Sequence, residues 1–338
     1  MADRQQRIGA FLASHGWRWS DQRPLAADAS FRAYRRLVDG DRRAILMDAP
    51  PPKEDVRSFA RISRHLRSLG FSAPAVLAKD VEAGLLLLED FGDDTYTRLL
   101  DRGVDPGELY ALATDVLIEL HRRSRDEAVP ENLPVYDEAR YLDEACLLID
   151  WYMPAVLGRP TPDAAREEYQ AAWRDALSGV DDHAPTLVLR DYHVDNLMRI
   201  PQRKGIAACG LLDFQDAVAG PAAYDLLSLL EDARRDVPGE IKTAMLDRYQ
   251  SAFASLDRAS FMAAFAILAA QRHAKVIGIF TRLCIRDGKP AYLRHIPRVW
   301  RLLDEALRAP FLSPVASWLA RHLPREARGI PQCRNAAE

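Results

Sequence analysis

An α+β fold in two lobes is what this sequence predicts: a small strand-rich N-terminal lobe with one main helix, then a larger, mostly helical C-terminal lobe. Three observations predict it. Short apolar strand patterns crowd the chain as far as Leu88 and then give way to long helical ones. A single amphipathic helix interrupts those strands, and one further strand pair is set into the helical part around residues 187–216.

The composition suits such a fold. Of 338 residues, 48% are hydrophobic and 28% charged, enough apolar material for a sizeable core. The net charge of −3 leaves no basic stripe for nucleic acid and no charged membrane-binding surface. A small-molecule partner is expected, with no nucleic acid, no membrane and no obligate protein partner. The four cysteines, Cys146, Cys209, Cys284 and Cys333, stand far apart without pairing or metal-ligand spacing, which predicts free thiols and a cytoplasmic location. The longest apolar run, residues 261–270, is well short of the ~20 residues that span a bilayer. The N-terminus lacks a long apolar leader core.

Taken in order, residues 4–15 read as a short helix ending near Gly16, and 31–38 and 42–49 as strands joined by Asp39-Gly40, a hairpin turn. Pro50-Pro51-Pro52 stops the sheet. Residues 53–69 place Val56, Phe59, Ile62, Leu66 and Leu69 at helical spacing, closed by Gly70. The apolar strand 84–88 leads into Glu89-Asp90-Phe91, where the lobes divide. The expected domains are therefore 1–91, 92–323 and a polar, mobile tail at 324–338.

In the C-terminal lobe, residues 137–157 read as a helix carrying Glu144, Asp150 and Trp151. An aromatic ring with acidic hydroxyl acceptors suits a sugar, and core tryptophan with surface acids is the plainer reading. Residues 261–284 form a long apolar helical pattern bearing Gln271, Arg272, His273 and Lys275. Arg272 and Lys275 share a face, as a carboxylate-bearing ligand would require; a solvated charged face is the alternative.

The chemistry concentrates between these helices. Leu187 to Leu189 is a short buried-strand pattern that delivers Asp191 to a polar loop ending at Asn196, and a hairpin through residues 201–205 would return the chain to Asp213 beside Asn196. Phosphoryl transfer needs this set: a carboxylate to orient the attacking hydroxyl and accept its proton, and oxygen ligands for magnesium. Turn formation by Asp191 and Asn196, with Asp213 as a cap, is the bland account of the same residues. His193 sits within the loop, Asp225 falls in the first turn of the next helix, and Gln215 and Asp216 follow Asp213 as candidates to touch nucleotide or substrate.

Through DASFRAYRRL, ILMDAPP, LLLLEDFGDDTY, LRDYHVDNLM, LLDFQDAVAGPAAYDLLSLLEDAR and QRHAKVIGIFTRLCIRDGKP, the chain resembles the aminoglycoside phosphotransferase-like branch of the protein-kinase-like fold, over nearly its whole length. Within that branch it is most similar to the anomeric sugar kinases of bacterial cell-wall recycling, which phosphorylate N-acetylmuramate and N-acetylglucosamine at the C1 hydroxyl. The resemblance implies ATP and Mg2+ as cofactors, Asp191 as catalytic base, Asn196 and Asp213 as magnesium ligands, and Glu89, Asp90 and Phe91 as the connector that receives adenine. Ser30 and Arg32 would cover the phosphates without a glycine-rich loop.

Two departures stand out. The strand that carries the phosphate-binding lysine in protein kinases ends here in Met47, with only Glu54 and Asp55 near the start of the next helix; Met47 would then pack against adenine or core. Leu189 takes the place of the histidine in the catalytic-loop motif. On the substrate side stand Asp216, Arg272, Glu144 and Trp151. An aminoglycoside or other small-metabolite kinase, and a nucleotide-binding regulator without turnover, are the competing functions.

Overall fold

The structure, a computed structural model, describes residues 2–18, 22–25, 32–180 and 185–332. They divide into two compact units, one of residues 1–119 and 194–217, the other of residues 120–193 and 218–338. The strand-rich stretch 1–91 is thus one part of the first unit, which also takes in two helices and a hairpin contributed from far along the chain.

The first unit begins with α1 (Ala2–Ser14), β1 (Gln22–Pro24), β2 (Ala33–Asp39) and β3 (Arg42–Asp48). It continues with α2 (Val56–Ser68), β4 (Val76–Asp80) and β5 (Leu85–Leu88), then α3 (Tyr96–Asp101) and α4 (Pro106–His121). The five strands form one antiparallel sheet in the order β1-β2-β3-β5-β4. The turn between β2 and β3 is tight, Asp39 pairing with Arg42, and Gly40 supplies its φ of +60°. Strand alternation gives the sheet two apolar faces. Leu37, Ala44, Leu46, Leu85 and Leu87 pack with Ile8, Phe11 and Leu12 of α1 and with Trp17, while Met47 belongs to the opposite face. Helix α2 starts where Asp55 accepts from the Arg57 amide at 2.9 Å, and it buries Val56, Phe59, Ile62 and Leu66.

The second unit runs through α5 (Arg125–Ala128), α6 (Glu138–Leu147), a π-helical segment Leu148–Tyr152, α7 (Met153–Leu157), α8 (Asp163–Leu177) and β6 (Thr186–Val188). The chain then lays down β7 (Leu197–Arg199) and β8 (Cys209–Leu211) in the first unit. It returns with β9 (Val218–Gly220), α9 (Ala223–Leu230), α10 (Gly239–Ser251), α11 (Arg258–Asp287), α12 (Ile296–Ala306) and α13 (Ser313–His322).

Helix α11 is the axis of this unit. It is the one helix among the described residues long and apolar enough to cross a membrane, yet 83% of its most apolar stretch is buried inside the protein. Gly278 makes its closest approach possible, because a Cβ there would lie 2.3 Å from the carbonyl carbon and oxygen of Leu147, where α6 passes into the π segment.

Two expectations are corrected here. Part of the supposedly mobile tail is docked: Arg328 bonds Asp304 at 2.7 Å and lies over the Trp300 ring, and the Tyr152 hydroxyl donates to the Gly329 carbonyl at 2.8 Å. An arginine with a buried stem and a paired head anchors a segment that composition alone marks as polar. Cys146 and Cys209 are free and buried, but Cys284 is disulfide-bonded, so the expectation of four free thiols fails.

Candidate active site

In the second unit, β6 pairs with β9, Leu187 opposite Ala219, and hands the chain to Leu189, Arg190 and Asp191. Arg190 has φ +71°, a left-handed conformation that costs a residue other than glycine roughly 1–3 kcal/mol and persists only when its surroundings insist on it. They do so from several sides. The Asp225 carboxylate accepts from the Leu189 amide at 2.6 Å and from the Arg190 amide at 2.9 Å, while the Ser228 hydroxyl donates to the Arg190 carbonyl at 3.3 Å. The Arg190 guanidinium pairs with Glu144 and lies over the Tyr136 ring. The bend turns Asp191 outward: its side chain is 46% exposed, whereas Leu189 and Tyr192 on either side are buried.

The electrostatics around Asp191 are strongly positive. Loss of surrounding water would push its carboxyl up, but Arg272, Lys275 and Arg190 outweigh that and hold it down at about 2, so it is ionised at neutral pH. Arg272 Nη2 is 3.8 Å from Asp191 Oδ1, and Arg272 Nη1 donates to the Tyr224 hydroxyl at 3.3 Å. Asp225 shows the opposite balance. Its burial pushes the carboxyl up to about 7 against the pull of two backbone amides and Arg272. His193 is buried beside Arg234, whose Nη1 lies 2.8 Å from Nε2; burial and that charge keep the ring well below its ordinary value, hence neutral.

Arg272 and Lys275 are both buried, so the solvated-face reading of this pair is excluded. Glu144 does not offer its carboxylate outward, as a sugar-hydroxyl acceptor would. One of its oxygens takes Arg190 and, at 2.9 Å, Lys275, and the other takes the Tyr136 hydroxyl. A buried carboxylate among buried cations is held as their partner, since leaving either side unpaired costs several kcal/mol. Trp151, half-buried in the π segment, shares no hydrogen bond or ring contact with this cluster among the described residues.

In the first unit the hairpin β7–β8 pairs Leu197 with Leu211, and the Leu212 amide donates to the Asn196 carbonyl at 3.0 Å, extending the ladder by one bond. Asn196 and Asp213 are thereby set side by side, Nδ2 to Oδ2 at 3.5 Å. Asp213 also adopts a left-handed φ of +57°, fixed by the fully buried Phe214, which packs on Phe59 of α2 with ring centroids 4.8 Å apart. The other oxygen of Asp213 accepts from Arg32 at 2.9 Å and Gln215 at 3.0 Å. Gln215 also donates to Asp216, which is exposed, at 3.1 Å. Arg32 stands 3.8 Å from Glu54 as well, just ahead of α2. Ser30 lies outside the described residues.

The connector is tightly tethered. The Glu89 amide donates to the Ala75 carbonyl at 2.9 Å, and its carboxylate pairs with Arg67 at 3.2 Å and also with Arg203. Asp90 pairs with Arg36 at 2.7 Å, and Phe91 lies under the Arg203 guanidinium. Phe91 needs a glycine opposite, since a Cβ on Gly210 would come within 2.7 Å of its ring. Met47 is buried in β3 opposite Tyr34 and Leu86.

Sequence reasoning missed the clamp on Arg190. Its position before Asp191 was the only available signal, because Tyr136, Tyr224 and Glu144 reach it from distant segments.

The family model described as "Phosphotransferase enzyme family" matches residues 21–262. The N-acetylmuramate/N-acetylglucosamine kinase of Caulobacter vibrioides is 36% identical, covering 97% of this chain and 99% of that protein. The protein of the same name from Pseudomonas aeruginosa is 38% identical over 88% of this chain and 87% of its own length. Among solved structures, a choline/ethanolamine kinase family protein from Mesorhizobium loti superposes with a TM-score of 0.62 at 14% identity, covering 94% of this chain and 99% of that one. The streptomycin-ATP complex of APH(2")-IIa gives 0.58 at 17% identity, with 93% and 98% covered. These last two bear on the fold, a protein-kinase-like one, and the sequence matches bear on descent: this chain belongs to the phosphotransferase enzyme family.

Proposed function

We propose that this chain is an ATP-dependent sugar kinase that phosphorylates the anomeric hydroxyl of N-acetylmuramate or N-acetylglucosamine, giving the sugar 1-phosphate. The observation that carries the reading is relatedness over nearly the full chain to proteins named N-acetylmuramate/N-acetylglucosamine kinase.

In this reading Asp191 aims the acceptor hydroxyl and takes its proton. A carboxylate held ionised well below neutral pH is a weak base, so its main contribution is orientation, in keeping with a loose transition state in which the proton leaves late. Asn196 and Asp213 fit magnesium. They are an amide and a carboxylate set side by side, a hard oxygen pair that leaves the remaining positions to water and phosphate, and Asp213 already draws a cation, Arg32. Magnesium there would neutralise charge on the phosphates. No cluster of three or more His, Cys, Asp or Glu offers a metal cage elsewhere among the described residues.

Arg32 is the cation we assign to the phosphates in place of a lysine at Met47. Glu54 and Asp213 hold its guanidinium, and against the burial that opposes its charge Tyr34, Asp213 and Glu54 keep it protonated. Adenine would meet the connector at the Phe91 amide, which makes no hydrogen bond among the described residues, while the Glu89 amide is taken by Ala75. Asp216 and Arg272 are the substrate-side candidates; Glu144 serves instead as charge partner to Arg190 and Lys275, and Trp151 is left to packing. Leu189 is buried core, a role that needs no ring nitrogen.

Release of ADP across a panel of N-acetylmuramate, N-acetylglucosamine, choline and an aminoglycoside tests the reading. Turnover with the first two and not the others is expected. Preference for the aminoglycoside or choline overturns the substrate, and ATP binding without transfer to any acceptor favours the regulator.

A further inference from the structure

The buried cluster around Asp191 does not balance its charges. Among the described residues, Arg190, Arg272 and Lys275 face the two carboxylates of Asp191 and Glu144, and Asp225 is pushed toward its neutral form. Glu144 engages Arg190 and Lys275 directly, which leaves Arg272 to a looser pair with Asp191. Its Nη2 stops 3.8 Å short of Asp191 and makes no hydrogen bond among the described residues. A third group between them would complete the contact on both sides.

That gap has the dimensions of one oxygen atom. Hydrogen bonds of about 2.7 Å from an O–H donor and about 2.9 Å from an N–H donor meet at a single oxygen when the outer atoms are 3.8 Å apart, with nearly a right angle between them. A hydroxyl placed there donates to Asp191 and accepts from Arg272. We propose that Arg272 is a further catalytic residue, donating from Nη2 to the acceptor hydroxyl oxygen that Asp191 orients. This rests on the sugar-kinase reading. As the new oxygen–phosphorus bond forms, the hydroxyl proton passes to Asp191, and the electron pair of the breaking bond to the γ-phosphorus leaves with ADP. Arg272 holds the attacking oxygen with one lone pair engaged and the other free for phosphorus, and it stays fixed because the Tyr224 ring lies 5.5 Å beneath it and the Tyr224 hydroxyl accepts from Nη1.

The same geometry says what Arg272 is not for. A group so close to Asp191 serves the reacting hydroxyl, which both sugars share, and not the carboxylate that N-acetylmuramate carries elsewhere on its ring. The two sugars therefore separate the possibilities.

The test compares wild type with Arg272→Gln and Arg272→Lys on N-acetylglucosamine and N-acetylmuramate. Expected for Arg272→Gln is a fall in kcat on the order of a hundredfold, alike for both sugars, with KM changed only a few-fold. Removing this charge leaves Asp191 facing Lys275 on α11, Arg190 and His193 in its own loop and Asp225 on α9, so the acid limb of kcat should move to higher pH. Arg272→Lys should keep part of the rate and an acid limb near that of wild type; it carries the test if the glutamine variant does not fold. A loss confined to the KM for N-acetylmuramate overturns the proposal and makes Arg272 a carboxylate receptor. Near-normal turnover, or a lower rate with an unmoved pH profile, overturns it as well. A wild-type enzyme that transfers phosphate to neither sugar fails the underlying reading instead.

Discussion

Arg190 in one unit and Asp213 in the other adopt left-handed backbone, and each is held there by a buried neighbour, Asp225 for one and Phe214 for the other. Asp213→Asn removes a charge from the proposed magnesium site while leaving Phe214 in place. Magnesium-supported turnover should be abolished with thermal stability largely kept, and near-normal turnover with unchanged magnesium dependence would exclude the assignment. Asp225 gives a pH signature. Its folded-state value, about 7, lies above the ordinary carboxylate value, so the folded protein holds this proton more tightly than the unfolded chain. The associated stability is full in acid and is lost as pH rises toward 7. Asp225→Asn lacks that dependence, so melting temperatures of the two proteins should shift in favour of the variant between about pH 4 and 7 and run parallel above. A difference independent of pH would contradict the burial argument. At this scale spacing set Asp191, Asn196 and Asp213 apart as candidates, and of these the structure places Asn196 beside Asp213; the sequence disclosed nothing of Glu144 as a charge partner, because pairing depends on which helices touch.

Among the elements, the β2–β3 hairpin, α2, β5 and α11 were legible from Asp39-Gly40, from 3.6-residue apolar spacing and from uninterrupted apolar runs. The edge strand β4 was not, since VLAKD is half exposed and lacks the apolar density of a central strand. Nor was the π segment, where five residues of ordinary helical composition are rewound against α11. Gly278→Ala tests that packing. Its added Cβ meets backbone that cannot swing aside, so unfolding by denaturant should show a loss of about 1–3 kcal/mol, with turnover reduced because Arg272 and Lys275 ride on the same helix. An unchanged midpoint would mean that α11 adjusts freely. On β3, Met47→Lys buries a charge at a site sealed from water and should destabilise without raising turnover. A rise of about a hundredfold, equivalent to ~2.7 kcal/mol of barrier, would instead mark the natural protein as an enzyme lacking its lysine.

For the molecule as a whole, the α+β class and the two-part plan followed from the change in pattern after Leu88. The composition of each unit did not follow, because residues 194–217 join the first unit from far along the chain, and long-range assembly leaves no local trace in the sequence. The tail was misread for the same reason: Arg328 looks polar in sequence and is an anchor in the structure. The central claim, phosphate transfer to an anomeric hydroxyl with Asp191 as the orienting base, is tested most directly by phosphorus NMR of the product from ATP, magnesium and N-acetylmuramate, run beside Asp191→Asn. An acid-labile sugar 1-phosphate is predicted for wild type, and the variant should lose on the order of a thousandfold in rate while binding both substrates within about tenfold. Phosphate at C6, or an Asp191→Asn protein of near-normal rate, would contradict it.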